Sequence, residues 1–125
     1  PLLPYQGVCP NGWRMAEQAD FEAVELLVDA NSVYMFMCCP ELWDNTTINT
    51  SFITNSTGLG FKPGGYKFIN DFYGLGQICI FLTASQGSNG GYITYHMRTD
   101  DGILHFVVTE SQYNSKHSCR CIKVD

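Results

Sequence analysis

Charge is scarce in this chain. Only 15% of its 125 residues are Asp, Glu, Lys or Arg. The seven basic residues are scattered as Arg14, Lys62, Lys67, Arg98, Lys116, Arg120 and Lys123. No basic stripe exists to neutralise phosphates, and with a net charge of −5 the chain is a poor match for nucleic acid or an anionic membrane surface. Long apolar runs are missing too. Val33 to Cys39 is too short to span a bilayer, and Pro1-Leu2-Leu3-Pro4 lacks the charged flank and apolar stretch of a signal peptide. The start at Pro1, without Met, is what a mature or excised piece of a longer precursor would show. Standard zinc half-sites are absent: the close pairs are Cys38-Cys39 and Cys119-x-Cys121, and His96, His105 and His117 stand singly, against the Cys-x2–4-Cys spacing zinc favours. No nucleophile elbow or triad motif is present, so no catalytic residue, metal or cofactor is expected. No repeat or linker divides the chain, which reads as a single domain, 1–125.

What is there is a globular composition. Hydrophobic residues make up 45%, and a chain of this length can bury a core unaided. Six cysteines are many for a reducing compartment, and their even number suits a disulfide framework. Two cysteine motifs mark the ends, Val8-Cys9-Pro10-Asn11-Gly12-Trp13-Arg14 and Ser118-Cys119-Arg120-Cys121-Ile122-Lys123. A bond from Cys9 to either Cys119 or Cys121 would close nearly the whole chain into one loop.

Along the chain, residues 16–30 place Phe21, Val24, Leu27 and Val28 on one face and Glu22, Glu25 and Asp29 on the other, the period of an amphipathic helix. Trp13 should tuck against the base of that helix. Residues 33–43 read as a second short helix or a buried strand; the helix is favoured, ending before Pro40, which removes a donor and clashes with the preceding turn. Residues 44–60 read as a long polar loop; Asn45-Thr46-Thr47, Asn49-Thr50-Ser51 and Asn55-Ser56-Thr57 fit the glycosylation sequon, but a hydrated loop rich in Asn and Thr is the better reading. Strands follow at Tyr66–Ile69, Gln77–Thr83, Tyr92–Thr99, Ile103–Thr109 and Cys119–Val124. The third and fourth flank the hairpin signal Asp100-Asp101-Gly102. Gln77–Thr83 is apolar at both parities and should be covered on both sides. Residues 86–91 read as a flexible loop. Helices first and strands last make an α+β fold with antiparallel sheets.

Several motifs in order, Cys9-Pro10-x-Gly12-Trp13, Asp20-Phe21, Gly60-Phe61-x-Pro63-Gly64-Gly65-Tyr66 and Cys119-Arg120-Cys121-Ile122-Lys123, resemble the Fibrobacter succinogenes major paralogous domain of bacterial surface and secreted proteins. The resemblance runs from about Gly7 to Asp125. It implies a C-type-lectin-like fold, the fold of the formylglycine-generating enzymes also, with two helices packed on small antiparallel sheets and the termini adjacent. It further implies a Cys9–Cys121 disulfide. Closing about 110 residues in this way stabilises by roughly 4–5 kcal/mol in the loop-entropy model. The chain departs from the family in having Met15-Ala16-Glu17 where Leu-Pro-Thr is usual. That loses the helix cap, at about 1 kcal/mol unless another group takes the role. Phe21 stands where the family often has Trp. The pairing of Cys38, Cys39, Cys79 and Cys119 is left open.

The lectin calcium motifs, Glu-Pro-Asn or Gln-Pro-Asp with a later Trp-Asn-Asp, are absent. Asp100-Asp101 is explained by turn chemistry without the roughly six to eight oxygens calcium takes. What remains is aromatic: Trp43, Tyr92, Tyr95 and Tyr113 lie near loop-rich segments with Gln86, Asn89 and Asn114, a mixture that makes rigid contact surfaces with adaptable hydrogen bonds. These seven are the candidate ligand-binding residues, on a side formed by residues 85–92 and 111–117. The expected function is a non-catalytic extracellular or cell-surface bacterial module for recognition or adhesion, free or within a larger surface protein, with a carbohydrate or protein ligand. The alternatives are a retroelement-diversified variable binding protein and a carbohydrate-active enzyme, which would need two carboxylates roughly 5–9 Å apart in a cleft.

Overall fold

The computed structural model describes residues 7–26, 33–46, 48–98, 105–111 and 114–124, with 105–107 described as backbone only. The chain is a small α+β domain. Strand β1 (Trp13–Met15) precedes helix α1 (Gln18–Leu26), and three 3-10 turns follow at Val33–Met35, Pro40–Leu42 and Thr50–Phe52. Then come β2 (Tyr66–Phe68), β3 (Asp71–Tyr73), β4 (Ile78–Gln86), β5 (Tyr92–Arg98), β6 (His105–Glu110), β7 (Ser115–Lys116), β8 (Ser118–Cys119) and β9 (Cys121–Lys123). They form three sheets, ordered β1-β9, β3-β2-β7 and β6-β5-β4-β8.

The ends of the domain are fastened twice. β1 and β9 pair antiparallel, with Trp13 opposite Lys123 and Met15 opposite Cys121. Beside them Cys9 and Cys121 form a disulfide with Cα atoms 5.8 Å apart. Trp13, on this ribbon, is 37% exposed. The closing segment is three short strands instead of one, and within nine residues it joins all three sheets. β7 pairs with β2, β8 runs parallel to β4, and β9 pairs with β1. The interruption at Arg120 has a use: its carbonyl accepts the Ala16 N–H at 2.8 Å.

Helix α1 has nine residues, too few to be stable alone in water. Its first turn is held from outside. The Ser85 hydroxyl, on β4, accepts the Gln18 N–H at 2.9 Å, and Asp20 Oδ2 accepts the Glu17 N–H at 2.8 Å. The Arg14 guanidinium grips the same carboxylate as a fork, at 2.7 and 3.0 Å. These groups satisfy N–H donors at the start of the helix, the role a side-chain cap would have. Phe21 anchors the helix on the long hairpin, stacking on Phe81 at 5.5 Å and Tyr95 at 4.8 Å between centroids. Phe36, Met37, Trp43, Phe61, Cys79 and Met97 complete the core. Leu27 and Val28, assigned to the helix's apolar face, lie outside the described residues. The expected second helix shrinks to the 3-10 turn Val33–Met35, and α1 is the one α-helix among the described residues.

The hairpin β4–β5 runs from Ile78 opposite Arg98 to Leu82 opposite Thr94, with an irregularity before Gln86. β4 is covered on both faces, as its double apolar parity predicts. Its Cys79–Phe81 face meets the core. Its Ile78–Ile80 face turns towards the β2–β3 corner, where Gly65 donates its N–H to the Ile78 carbonyl at 2.8 Å. Gly65 has φ 68, and a Cβ there would collide with the Tyr73 carbonyl. The turn before β2 therefore needs glycine. β5 and β6 pair as the hairpin signal implies; the Asp100-Asp101-Gly102 turn itself lies outside the described residues. The polar stretch 44–60 is more ordered than a plain loop: Asn49 caps Thr50–Phe52 by accepting the Ser51 N–H, and Asn55 Oδ1 accepts the Gly60 N–H.

Candidate functional site

The alternation of strand β5 builds one wall of a concavity between two sheets. Tyr95 and Met97 point to the core, which turns Thr94, His96 and Arg98 the other way. On that side, β4 contributes Ile80, β2 contributes Tyr66 and Phe68, β6 contributes Thr109 and Glu110, and the C-terminal segment adds Ser111, Ser115 and His117. Together they line a cavity of about 450 Å³ between the four-stranded and three-stranded sheets. Its size lies within the ordinary range for small-molecule sites.

Its inner wall is polar yet buried. Thr94 is 1% exposed and His96 7%. His96 Nε2 lies 2.6 Å from Thr94 Oγ1 and 3.0 Å from Thr109 Oγ1, and the two hydroxyls are 2.8 Å apart. The two hydroxyls and the His96 Nε2 thus form a mutually bonded trio, with Thr109 at its exposed edge. On the opposite wall His117 stacks on Tyr66 at 5.8 Å, and Tyr66 stacks in turn on Tyr73 at 5.6 Å. His117 Nε2 meets Ser115 Oγ at 3.0 Å, while its Nδ1 is buried without a hydrogen-bond partner among the described residues. Burial pushes the His117 pKa down, so the ring is neutral at neutral pH.

At one rim, Glu110 organises the β4–β5 turn. Its Oε1 accepts the N–H of Asn89 at 3.0 Å and of Gly91 at 3.1 Å, and a Cβ on Gly87 would strike the same carboxylate. Ser111 Oγ accepts the Tyr92 N–H at 3.0 Å, and the Tyr92 carbonyl accepts the Ser111 N–H at 2.7 Å. The segment 86–91 is thus pinned to the end of β6, a correction to the flexible loop its composition implied.

The seven candidate binding residues divide accordingly. Gln86, Asn89 and Tyr92 stand exposed together on this pinned turn. Asn114 is exposed beside cavity-lining Ser115, and its carbonyl accepts the Ile69 N–H at 3.1 Å. Tyr113 lies outside the described residues. Trp43 and Tyr95 are core residues, 4% and 2% exposed, and neither offers a contact surface. The Trp43 indole N–H donates to the Cys38 carbonyl at 2.9 Å. The Tyr95 hydroxyl donates to the Glu25 carboxylate. Each aromatic has one polar tip to satisfy, and each does so inside the fold.

Tyr66, Thr94, His96, Arg98, Thr109 and His117 escaped the sequence reading. The signal was available in Thr94-Tyr95-His96-Met97-Arg98, a strict polar/apolar alternation whose polar half is covered by another sheet. Among the described residues no three His, Cys, Asp or Glu side chains converge on a metal position, and Glu110 is the one carboxylate among those lining the cavity. No helix among them is long and apolar enough to cross a membrane. Comparison with family models, curated proteins and solved structures finds no match to this chain.

Proposed function

We propose that this chain is a non-catalytic extracellular recognition module of C-type-lectin-like architecture, and that its ligand is a carbohydrate unit seated in the cavity between β5 and β2. The observation that carries the reading is the lining of that cavity. It combines stacked rings at Tyr66 and His117 with hydroxyls at Thr94, Thr109, Ser111 and Ser115. A sugar ring presents apolar C–H faces and a rim of hydroxyls, and is matched by such a mixture. Neutral imidazole at His117 serves as a hydrogen-bonding group at neutral pH, and Arg98 and Glu110 give the site one fixed charge of each sign. The motif resemblance and the fastening of the termini by Cys9–Cys121 support the surface-module part of the reading, since long-range bridges persist in oxidising compartments.

An array of neutral and acidic oligosaccharides, read with and without a chelator, tests the proposal. The wild-type domain should retain a sugar regardless of chelation. Tyr66→Ala and His117→Ala should each weaken binding by roughly tenfold, the equivalent of about 1.4 kcal/mol of lost stacking and hydrogen bonding. Tyr92→Ala, on the outer turn, should change it little. Absence of any bound sugar, or equal binding by the cavity variants, refutes the assignment. A loss confined to Tyr92→Ala would move the contact surface to the exposed turn and favour a protein ligand.

A further inference from the structure

Cys38 and Cys39 are consecutive, half-buried and outside the Cys9–Cys121 bridge. The backbone between them is unusual. Cys39 adopts φ 55 and ψ 67, a left-handed conformation that is strained for a residue bearing a side chain. It does so immediately before Pro40, where extended backbone is favoured. The surroundings hold the kink in place. The Cys38 N–H donates to the Phe61 carbonyl at 3.1 Å, and the Leu42 N–H donates to the Cys39 carbonyl at 2.9 Å. The Cys38 carbonyl also accepts the Trp43 indole N–H. In extended backbone, consecutive side chains point to opposite faces; in this kink the Cys38 thiol feels its neighbour, and burial together with the adjacent Cys39 thiol raises its pKa.

We propose that Cys38 and Cys39 constitute a redox-labile dithiol site that closes to a vicinal disulfide by exchange with an oxidised low-molecular-weight disulfide. One thiolate attacks that disulfide and expels the first thiol. The neighbouring thiolate then attacks the mixed disulfide and expels the second. The protein loses two electrons and two protons, and the oxidised partner becomes two thiols. Consecutive Cα atoms are about 3.8 Å apart across a trans peptide, short of the roughly 4.4–6.8 Å that relaxed bridges span. The ring is therefore strained and opens more readily than the long-range bridge. Cys79 competes poorly. It is 4% exposed, and burial pushes its thiol pKa up to about 12, so it supplies little thiolate. Closure locks the turn Pro40–Leu42 and, through the Cys38 carbonyl, the seat of Trp43.

The full chain, equilibrated in glutathione buffers of stepped ratio, acid-quenched, alkylated and digested with trypsin, tests this directly. The peptide Met15–Lys67 carries Cys38 and Cys39 and no other cysteine, since Lys62 precedes Pro63. In oxidising buffer it should be unalkylated and two hydrogen masses lighter than its dithiol form. It should become doubly alkylated at a glutathione ratio at least roughly tenfold less reducing than the one that opens Cys9–Cys121, a gap of about 30 mV. Full alkylation of Cys38 and Cys39 at every ratio overturns the proposal. So does cross-linking of this peptide to one bearing Cys79 or Cys119, or opening only in step with the Cys9–Cys121 bridge.

Discussion

Removing the Cys9–Cys121 bridge by the double substitution Cys9→Ala and Cys121→Ala tests how this domain is held together. The bridge spans a sequence separation of 112. In the chain-entropy model a loop of that length removes about 16 cal/mol/K from the unfolded ensemble, or roughly 4–5 kcal/mol at 25 °C. Native domains of this size hold about 5–15 kcal/mol in all, so a third or more of the total is at stake. Unfolding entropy scales as about 2.1 cal/mol/K per residue near the transition. For 125 residues, the loss converts to a fall in Tm of roughly 15–20 °C. The β1–β9 register, Trp13 with Lys123 through Met15 with Cys121, remains to bring the ends together, so the variant should still fold to the same near-UV spectrum. Urea unfolding at neutral pH is the assay. The midpoint should drop and the m-value should rise, because an unlinked unfolded chain exposes more surface than a cyclised one. A loss below about 1 kcal/mol with an unchanged m-value would refute the reasoning. It would mean that the unfolded chain already keeps its ends together.

Three further outcomes follow from the geometry. Asp20→Asn should cost about 1–2 kcal/mol by weakening the Arg14 fork and the hold on the Glu17 N–H. Arg14 keeps the Asp20 carboxyl below the usual carboxylate range, so the gap to wild type should be full above about pH 4 and close as pH falls through the folded pKa, read by urea titration. Burial lowers the His117 pKa; stability should therefore be complete above about pH 6.5 and decline as pH drops below it, because the unfolded chain takes up the proton first. His117→Phe, which keeps a ring against Tyr66, should remove that part of the slope. Glu110→Ala should release the β4–β5 turn, seen as faster hydrogen exchange at the Asn89 and Gly91 amides, with exchange in the centre of β4 unchanged.

The legible parts of this sequence were those governed by neighbours in the chain. The helix period around Phe21, the double apolar parity of residues 77–83 and the turn chemistry before Tyr66 each announce an element that is present. What escaped is decided across distance. Ser85 caps a helix 67 residues earlier, and nothing near Glu17 or Gln18 hints at it. Trp43 and Tyr95 looked like surface aromatics because polar residues flank them in sequence. Their hydrogen bonds to Cys38 and Glu25 show how an amphipathic ring can sit inside. The closing strand broke into three because one short segment serves three sheets, a topological demand that no local propensity encodes.

The candidate cavity follows the same logic. A strand with one apolar and one polar face normally rests its apolar face on a core and gives the polar face to water. In β5 the apolar half, Tyr95 and Met97, does meet the core, yet Thr94 and His96 are nearly as buried as their neighbours. Burying such groups unpaired costs about 1–3 kcal/mol each, whereas valine and phenylalanine would fill the same positions without that demand. Here Thr94, Thr109 and the His96 Nε2 pair with one another, which confers little net stability over an apolar wall. The covering sheet, β3-β2-β7, also leaves open space above these groups instead of packing down on them. A polar wall facing a cavity contributes little to holding the fold, so stability alone does not account for its chemistry. That is why the binding proposal rests on β5 and not on the exposed tyrosine of the outer turn.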